Sequence, residues 1–109
     1  MPQLIPAKIL RVHFAEGDKH NGKPLYEAII AKCRELRIAG ATVFRGLEGY
    51  GGTAGIRRHH VVARDQPIII VVVDSEENIG RLKPAVEEMM DTGVIAVSEA
   101  EMIRVEKDV

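Results

Sequence analysis

The sequence predicts an α+β sandwich with the element order β-α-β-loop-β-α-β and both helices on one face of an antiparallel sheet. Three observations lead there. Apolar and polar residues alternate with a period of two between Ile5 and Phe14, as on a strand with one face on a core. Two stretches, from Pro24 to Gly40 and from Ser75 to Gly93, carry apolar residues at helical spacing. Between them, Ile68-Ile69-Ile70-Val71-Val72-Val73 is β-branched at every position, the pattern of a strand covered on both faces.

The first strand places Leu10, Val12 and Phe14 on one side and Ile9, Arg11 and His13 on the other. Residues 16–23 are polar and contain Asn21-Gly22, a turn signal, before Pro24, which favours the first turn of a helix. The first helix then sets Leu25, Ile29, Cys33 and Leu36 on one stripe, and Gly40 is positioned to end it in the left-handed conformation. A second strand follows over Ala41–Leu47, and the β-branched run is the third. The second helix opens after Asp74-Ser75, with Asp74 and Glu77 spaced as a capping box, and carries Ile79, Leu82, Val86 and Met89 on one face. Pro84 removes the bond to the Gly80 carbonyl, which predicts a kink or a split there. Thr92-Gly93 ends the helix. Two extended pieces, Val94–Val97 and Met102–Val105, close the chain, with Ser98–Glu101 between them.

This order is that of the split β-α-β, ferredoxin-like βαββαβ sandwich. Two helices hide only one face of its sheet, whereas the third strand is apolar on both. Another copy of the chain is the expected cover, so an obligate homo-oligomer follows.

At 109 residues the chain reads as a single domain spanning residues 1–109. A net charge of -1 provides no general attraction for nucleic acid or anionic membrane, so any anion site must be local. The single cysteine excludes an intrachain disulfide. The start Met1-Pro2-Gln3-Leu4-Ile5-Pro6 has no basic segment followed by an apolar signal core, and no run reaches membrane-spanning length, which makes a cytoplasmic location the expectation.

The stretch from about residue 48 to 66 is the expected working loop, because connections of that length inside a small domain are uncommon and usually functional. The glycines Gly49, Gly51 and Gly52 could let a phosphate approach backbone N–H groups, or could simply serve tight turns. No dinucleotide fingerprint or Walker motif surrounds them. Lys19, His20 and Lys23 lie just before the first helix, whose positive end would reinforce an anion site there; the alternative is a solvated turn. Arg57, Arg58, His59 and His60 form the densest basic cluster and suit docking to a partner.

Metal ligation would need His59 and His60 to converge with His20 or Glu48, but adjacent residues on an extended chain point to opposite sides. His13 is expected to be a packed strand residue and Cys33 a core thiol of low reactivity. No Ser, His and Asp arrangement suggests a triad, so no enzyme chemistry and no catalytic residue is expected.

The segments Glu16–Glu27, Gly40-Ala41-Thr42-Val43-Phe44-Arg45-Gly46 and Gly49-Tyr50-Gly51 resemble the bacterial and archaeal family called domain of unknown function 190, over nearly the whole chain. That family is similar in fold to the nitrogen regulatory protein PII and to the CutA proteins. The resemblance implies a PII-like homotrimer with its sheets facing inward. It also implies that Thr42 and the Gly49–Gly52 backbone contact a nucleotide, with Arg45 in the same motif, and that the long loop is a T-loop touching a regulated partner. PII proteins further carry a Thr-Gly-x-x-Gly-Asp-Gly-Lys loop around the phosphates. Here the corresponding residues are Thr92-Gly93-Val94-Ile95-Ala96-Val97, and Arg104 is the basic residue left in the terminal strand.

The expected function is therefore that of a trimeric signalling protein that binds a small anionic effector, an adenine nucleotide foremost, between subunits. Members of the resembling family are often encoded near small fluoride-exporting channels, which suggests a membrane transporter or channel as target. Two alternatives stand beside this: a CutA-like protein binding divalent metal, and a structural trimer without ligand.

Overall fold

Hydrogen bonding on both sides makes Ile5–Ala15, β1, the spine of the sheet. The computed structural model describes residues 3–50 and 66–107. Along them follow a two-strand hairpin, β2 (Lys19–His20) and β3 (Lys23–Pro24), then α1 (Leu25–Glu35), β4 (Thr42–Arg45), β5 (Pro67–Asp74), α2 (Glu76–Met89) and β6 (Val94–Met102). The sheet order is β4-β5-β1-β6 with every pair antiparallel. This is the expected α+β, ferredoxin-like arrangement, with the β2-β3 hairpin as an addition.

Register sets the two faces. Leu10 pairs with Val72, Val12 with Ile70 and Phe14 with Ile68, and all six side chains are buried under the helices. Leu25, Ile29 and Cys33 from α1, with Ile79, Leu82, Val86 and Met89 from α2, complete the core. Burying each large aliphatic side chain stabilises the fold by about 1.5–3 kcal/mol.

The odd-numbered residues of β1 and β5 face away from the helices. Ile9, Ile69 and Val71 are half-buried there, and Phe44, Val73 and Val94 are 52%, 40% and 59% exposed. Within one chain, then, β5 is fully covered on one face only, and the other is an open apolar surface.

Helix ends differ from expectation in instructive ways. The left-handed residue after α1 is Arg37 (φ 60), not Gly40. The Arg37 N–H donates to the Arg34 carbonyl at 3.1 Å and the Ile38 N–H to the Cys33 carbonyl at 2.9 Å, the paired bonds of a Schellman motif. Ile38 packs against the core beyond it, so placing this side chain overrides the preference for glycine. Pro24 sits at the cap of α1 rather than inside its first turn.

Asp74 and Glu77 do not form a capping box. The cap of α2 is Ser75, whose hydroxyl accepts from the Asn78 N–H at 3.1 Å. Of the kink or split expected at Pro84, the split does not occur: the helix runs unbroken across it and ends at Met89, ahead of Thr92-Gly93. The final strand is also continuous from Val94 to Met102: its partner β1 holds Ser98–Glu101 in register opposite Pro6–Ile9.

Candidate functional site

The stem of the long loop is held where β1, β4 and β5 meet. The Glu16 N–H donates to the Gln66 carbonyl at 2.8 Å, and the Gly46 N–H donates to the Pro67 carbonyl at 2.7 Å. Arg45 Nη2 lies 2.5 Å from Glu16 Oε2, tying the end of β4 to the residue that follows β1. The guanidinium side is 59% exposed and the carboxylate side 19%. Partial exposure limits such a pair to about 1 kcal/mol. Arg45 thus reaches solvent but is already shared with a carboxylate.

The glycines of the stem have a packing role. A Cβ at Gly46 would lie 2.7 Å from Pro67 Cγ, and one at Gly49 2.9 Å from the same atom. The pyrrolidine ring cannot swing aside as a long chain would. Both glycines are therefore required by the chain's passage over Pro67, whatever a ligand adds. Thr42 is exposed on the open sheet face, across from Val71. Thr42 and Arg45 lie on β4 and Gly49 follows four residues beyond its end, but Thr42 pairs with Val71 on the open face and Arg45 with Ile68 on the helix side, so these two side chains leave opposite faces of the sheet.

The hairpin residues occupy a neighbouring place. Asn21 (φ 52) and Gly22 (φ 80) form its two-residue turn, the left-handed pair that asparagine and glycine favour. His20 and Lys23 line a groove of about 390 Å³ with Glu27, Lys32, Glu35 and Met89. The Lys32 ammonium is 3.2 Å from Glu35, so the groove is of mixed charge. Lys19 lines a separate cavity of about 40 Å³ with Asp18, Leu25, Asp91 and Thr92, enough for a water but not for a phosphate. Asp18 is buried; its carbonyl accepts from the Leu25 N–H at 2.8 Å, and its Oδ2 accepts from the Ala15 N–H at 3.3 Å. The Leu25 N–H at the start of α1 is thus already taken by a backbone carbonyl, which removes one donor from the anion site expected there.

Arg104 lies elsewhere. Its charge acts on Asp74, at the far end of β5 from Pro67. Seven residue steps of strand separate those ends, about 23 Å. Within one chain Arg104 is therefore not part of the stem cluster.

Gly51, Gly52, Arg57, Arg58, His59 and His60 fall outside the described residues. Among the described residues no group of three or more His, Cys, Asp or Glu is placed to hold a metal ion, and no helix is long and apolar enough to cross a membrane. Cys33 is buried, and burial pushes its thiol pKa up.

Three contributors escape sequence reasoning. Glu16 as the partner of Arg45 is 29 residues distant and leaves no local signature. Pro67 as the reason for Gly46 and Gly49 is another. The third is Asp74, buried at 4% exposure. Its Oδ2 accepts from the Ala39 N–H at 2.9 Å, and its Oδ1 accepts from the Ser75 N–H at 2.7 Å and from Asn78 Nδ2 at 3.1 Å. Burial alone would raise its pKa; the bonds from Ala39, Ser75 and Asn78, with the Arg104 charge, outweigh that and hold it below the ordinary carboxylate value.

Comparison with known proteins gives consistent matches. The family model DUF190, described as "Uncharacterized ACR, COG1993", matches residues 7–102. The UPF0166 protein MJ1524 of Methanocaldococcus jannaschii is 35% identical over 104 residues, covering 93% of this chain and 95% of that protein. The UPF0166 protein of Aquifex aeolicus is 31% identical over 103 residues, covering 93% and 97%. Among solved structures, CPII of Thiomonas intermedia K12, a nitrogen regulatory PII-like protein, bound to ADP, AMP and acetate, superposes with a TM-score of 0.62 at 24% identity. That match covers 94% of this chain and 93% of CPII, and it establishes a shared PII-like fold.

Proposed function

The chain belongs to the DUF190 (COG1993) family of uncharacterized proteins, and from that premise we propose that it works as a PII-like trimeric regulator. Three copies pack their open sheet faces inward, and a small anionic effector, foremost an adenine nucleotide, binds in the clefts between them. The loop of about 48–66 is ordered or released by the effector and docks on a target protein, for which a membrane transporter or channel is one candidate class. The protein switches a partner and performs no catalysis.

The observation that carries this reading is the stem. Thr42 and Arg45 lie on the strand that leads into the long loop, Gly49 follows it at the loop's start, and Arg45 is anchored to Glu16 with its guanidinium still reaching solvent. A ligand that contacts these residues acts directly on the root of the loop, so its binding free energy is coupled to the loop's state. The fold shared with CPII, a protein seen with ADP and AMP, supports an adenine nucleotide as the first candidate. Thr92-Gly93-Val94 lacks the glycines and lysine that wrap phosphates in PII, which favours a ligand of fewer phosphates or a different grip on them.

The test is a thermal-shift panel of AMP, ADP, ATP, cyclic nucleotides and divalent metals on the assembled protein, followed by calorimetry. At a hundredfold excess over Kd a ligand stabilises by about 2.7 kcal/mol. A nucleotide response that disappears in Thr42→Val supports the reading. Stabilisation by metal alone, abolished in His59→Ala/His60→Ala, replaces it with the metal-binding alternative. An assembled protein that responds to nothing leaves the structural trimer.

A further inference from the structure

The open face of the sheet is uneven in one respect. Register places Ala7, Ile9, Arg11, His13 and Ala15 of β1 on it, with Pro67, Ile69, Val71 and Val73 of β5, Thr42 and Phe44 of β4, and Val94, Ala96, Ser98, Ala100 and Met102 of β6. Among these strand residues Arg11 and His13 are the titratable or charged ones, and no carboxylate accompanies them. They stand two apart on the central strand, so their side chains emerge on the same side about 7 Å from one another.

His13 is flanked by Ile69 on β5 and Val94 on β6, and Arg11 by Val71 and Ala96. Arg11 Nη1 reaches Ser98 Oγ at 3.4 Å, a neutral partner. Apolar residues of β5 and β6 flank the two basic groups on either side, and both basic groups are half-buried already in one chain.

We infer that assembly of the protein through this face is gated by protonation of His13. The inference rests on the proposal that a second and third copy cover the face. Imidazole is the side chain whose charge ordinarily changes between about pH 5 and 8. A neutral imidazole can be buried among Ile69, Val94 and their counterparts from other copies at little penalty. An imidazolium placed there loses its water and meets the fixed charge of Arg11, while Asp74 of β5 and Glu99 and Glu101 of β6 fall on the opposite face and offset neither effect.

Separated chains therefore take up a proton at His13 more readily than the assembly does. By linkage, falling pH draws the equilibrium toward separation, by up to about tenfold in the association constant per titrating copy per pH unit. Closed symmetry repeats the same pair once in every copy, so each copy contributes its own titrating group.

Sedimentation velocity of the full chain at about pH 8 and about pH 5.5 tests this, with circular dichroism confirming that the chain stays folded at both. The expected result is an assembly at the higher pH that separates at the lower, while His13→Phe and His13→Gln remain assembled at both. Two variants are used because Phe must fit and Gln keeps a polar, uncharged group. An assembly unchanged at the lower pH, or variants that separate as the wild type does, overturns the His13 gate and leaves the trimer reading intact. A folded monomer at the higher pH overturns both.

Discussion

The carboxylate of Asp74 holds the backbone N–H of Ala39 at 2.9 Å across 35 residues of sequence, joining the end of β5 to the exit from α1. The same carboxylate also accepts from Ser75 N–H and Asn78 Nδ2 at the start of α2, so one buried acid fixes three elements. Arg81 adds a parallel tie from α2, donating to the Leu36 carbonyl and to Asn78 Oδ1, both at 2.8 Å.

Asp74→Ala is expected to destabilise the protein by about 2–4 kcal/mol, because it strands buried donors that were bonded to a charged acceptor. The folded-state pKa of Asp74 is depressed, so its stabilising contribution is fully present above the unfolded value near 3.9 and is lost as pH falls below it toward the folded value. Urea midpoints measured from neutral pH down to about pH 2.5 should show that loss in the wild type and a shallower one in Asp74→Asn. Equal slopes for the two would remove Asp74 from the account of acid sensitivity.

Arg37 holds a left-handed conformation (φ 60) that glycine enters without penalty. Arg37→Gly should therefore stabilise by about 0.5–1 kcal/mol, offset in part by the greater freedom of glycine in the unfolded chain. Arg37→Val should destabilise by a similar amount, since a β-branched residue is the least suited to positive φ. Thermal midpoints in the reverse order would contradict the Schellman geometry.

Much of this architecture was legible in residue patterns, and the exceptions share a cause. Leu10, Val12 and Phe14 announced their buried face by alternation, and the two helical stripes by spacing, because burial imposes a period on sequence. Arg37 in place of Gly40, and Ser98–Glu101 inside a strand, were not legible: in each case tertiary partners, Ile38 on the core and β1 alongside β6, decided against local preference. At the site, the sequence placed Thr42 and Arg45 on one strand, while their opposite faces became visible only from the register with β5. Glu16, Pro67 and Asp74 act across contacts distant in sequence, for which a single chain offers no spacing rule.

The glycines of the stem separate packing from ligand recognition. Gly49→Ala should destabilise by about 1–3 kcal/mol, as an overpacked contact does. In the double variant with Pro67→Ala, the ring carbon 2.9 Å from the new methyl is gone, so a favourable coupling of about 1 kcal/mol or more is expected. If Gly49 also serves close approach of a phosphate, nucleotide affinity falls in Gly49→Ala and is not restored by Pro67→Ala. Restoration of both together would make the glycine purely structural.

Val71 tests the open face at its centre. It is half-buried on β5, pairs directly across from Arg11, and contributes nothing to the core beneath the helices. Val71→Lys sets a second cation against Arg11 and should leave the chain folded but monomeric, because an unpaired charge buried between copies costs several kcal/mol. Val71→Asp sets a carboxylate opposite the same arginine, and cross-strand pairing of opposite charges should offset part of that penalty, by about 0.2–1 kcal/mol. The assembly should therefore fall in the order wild type, Val71→Asp, Val71→Lys when measured by light scattering across a dilution series. Helical circular dichroism should stay constant, since Leu10, Val12, Ile70 and Val72 lie on the other side of the sheet. An assembly indifferent to both substitutions would mean that copies meet through some surface other than the one β5 leaves open.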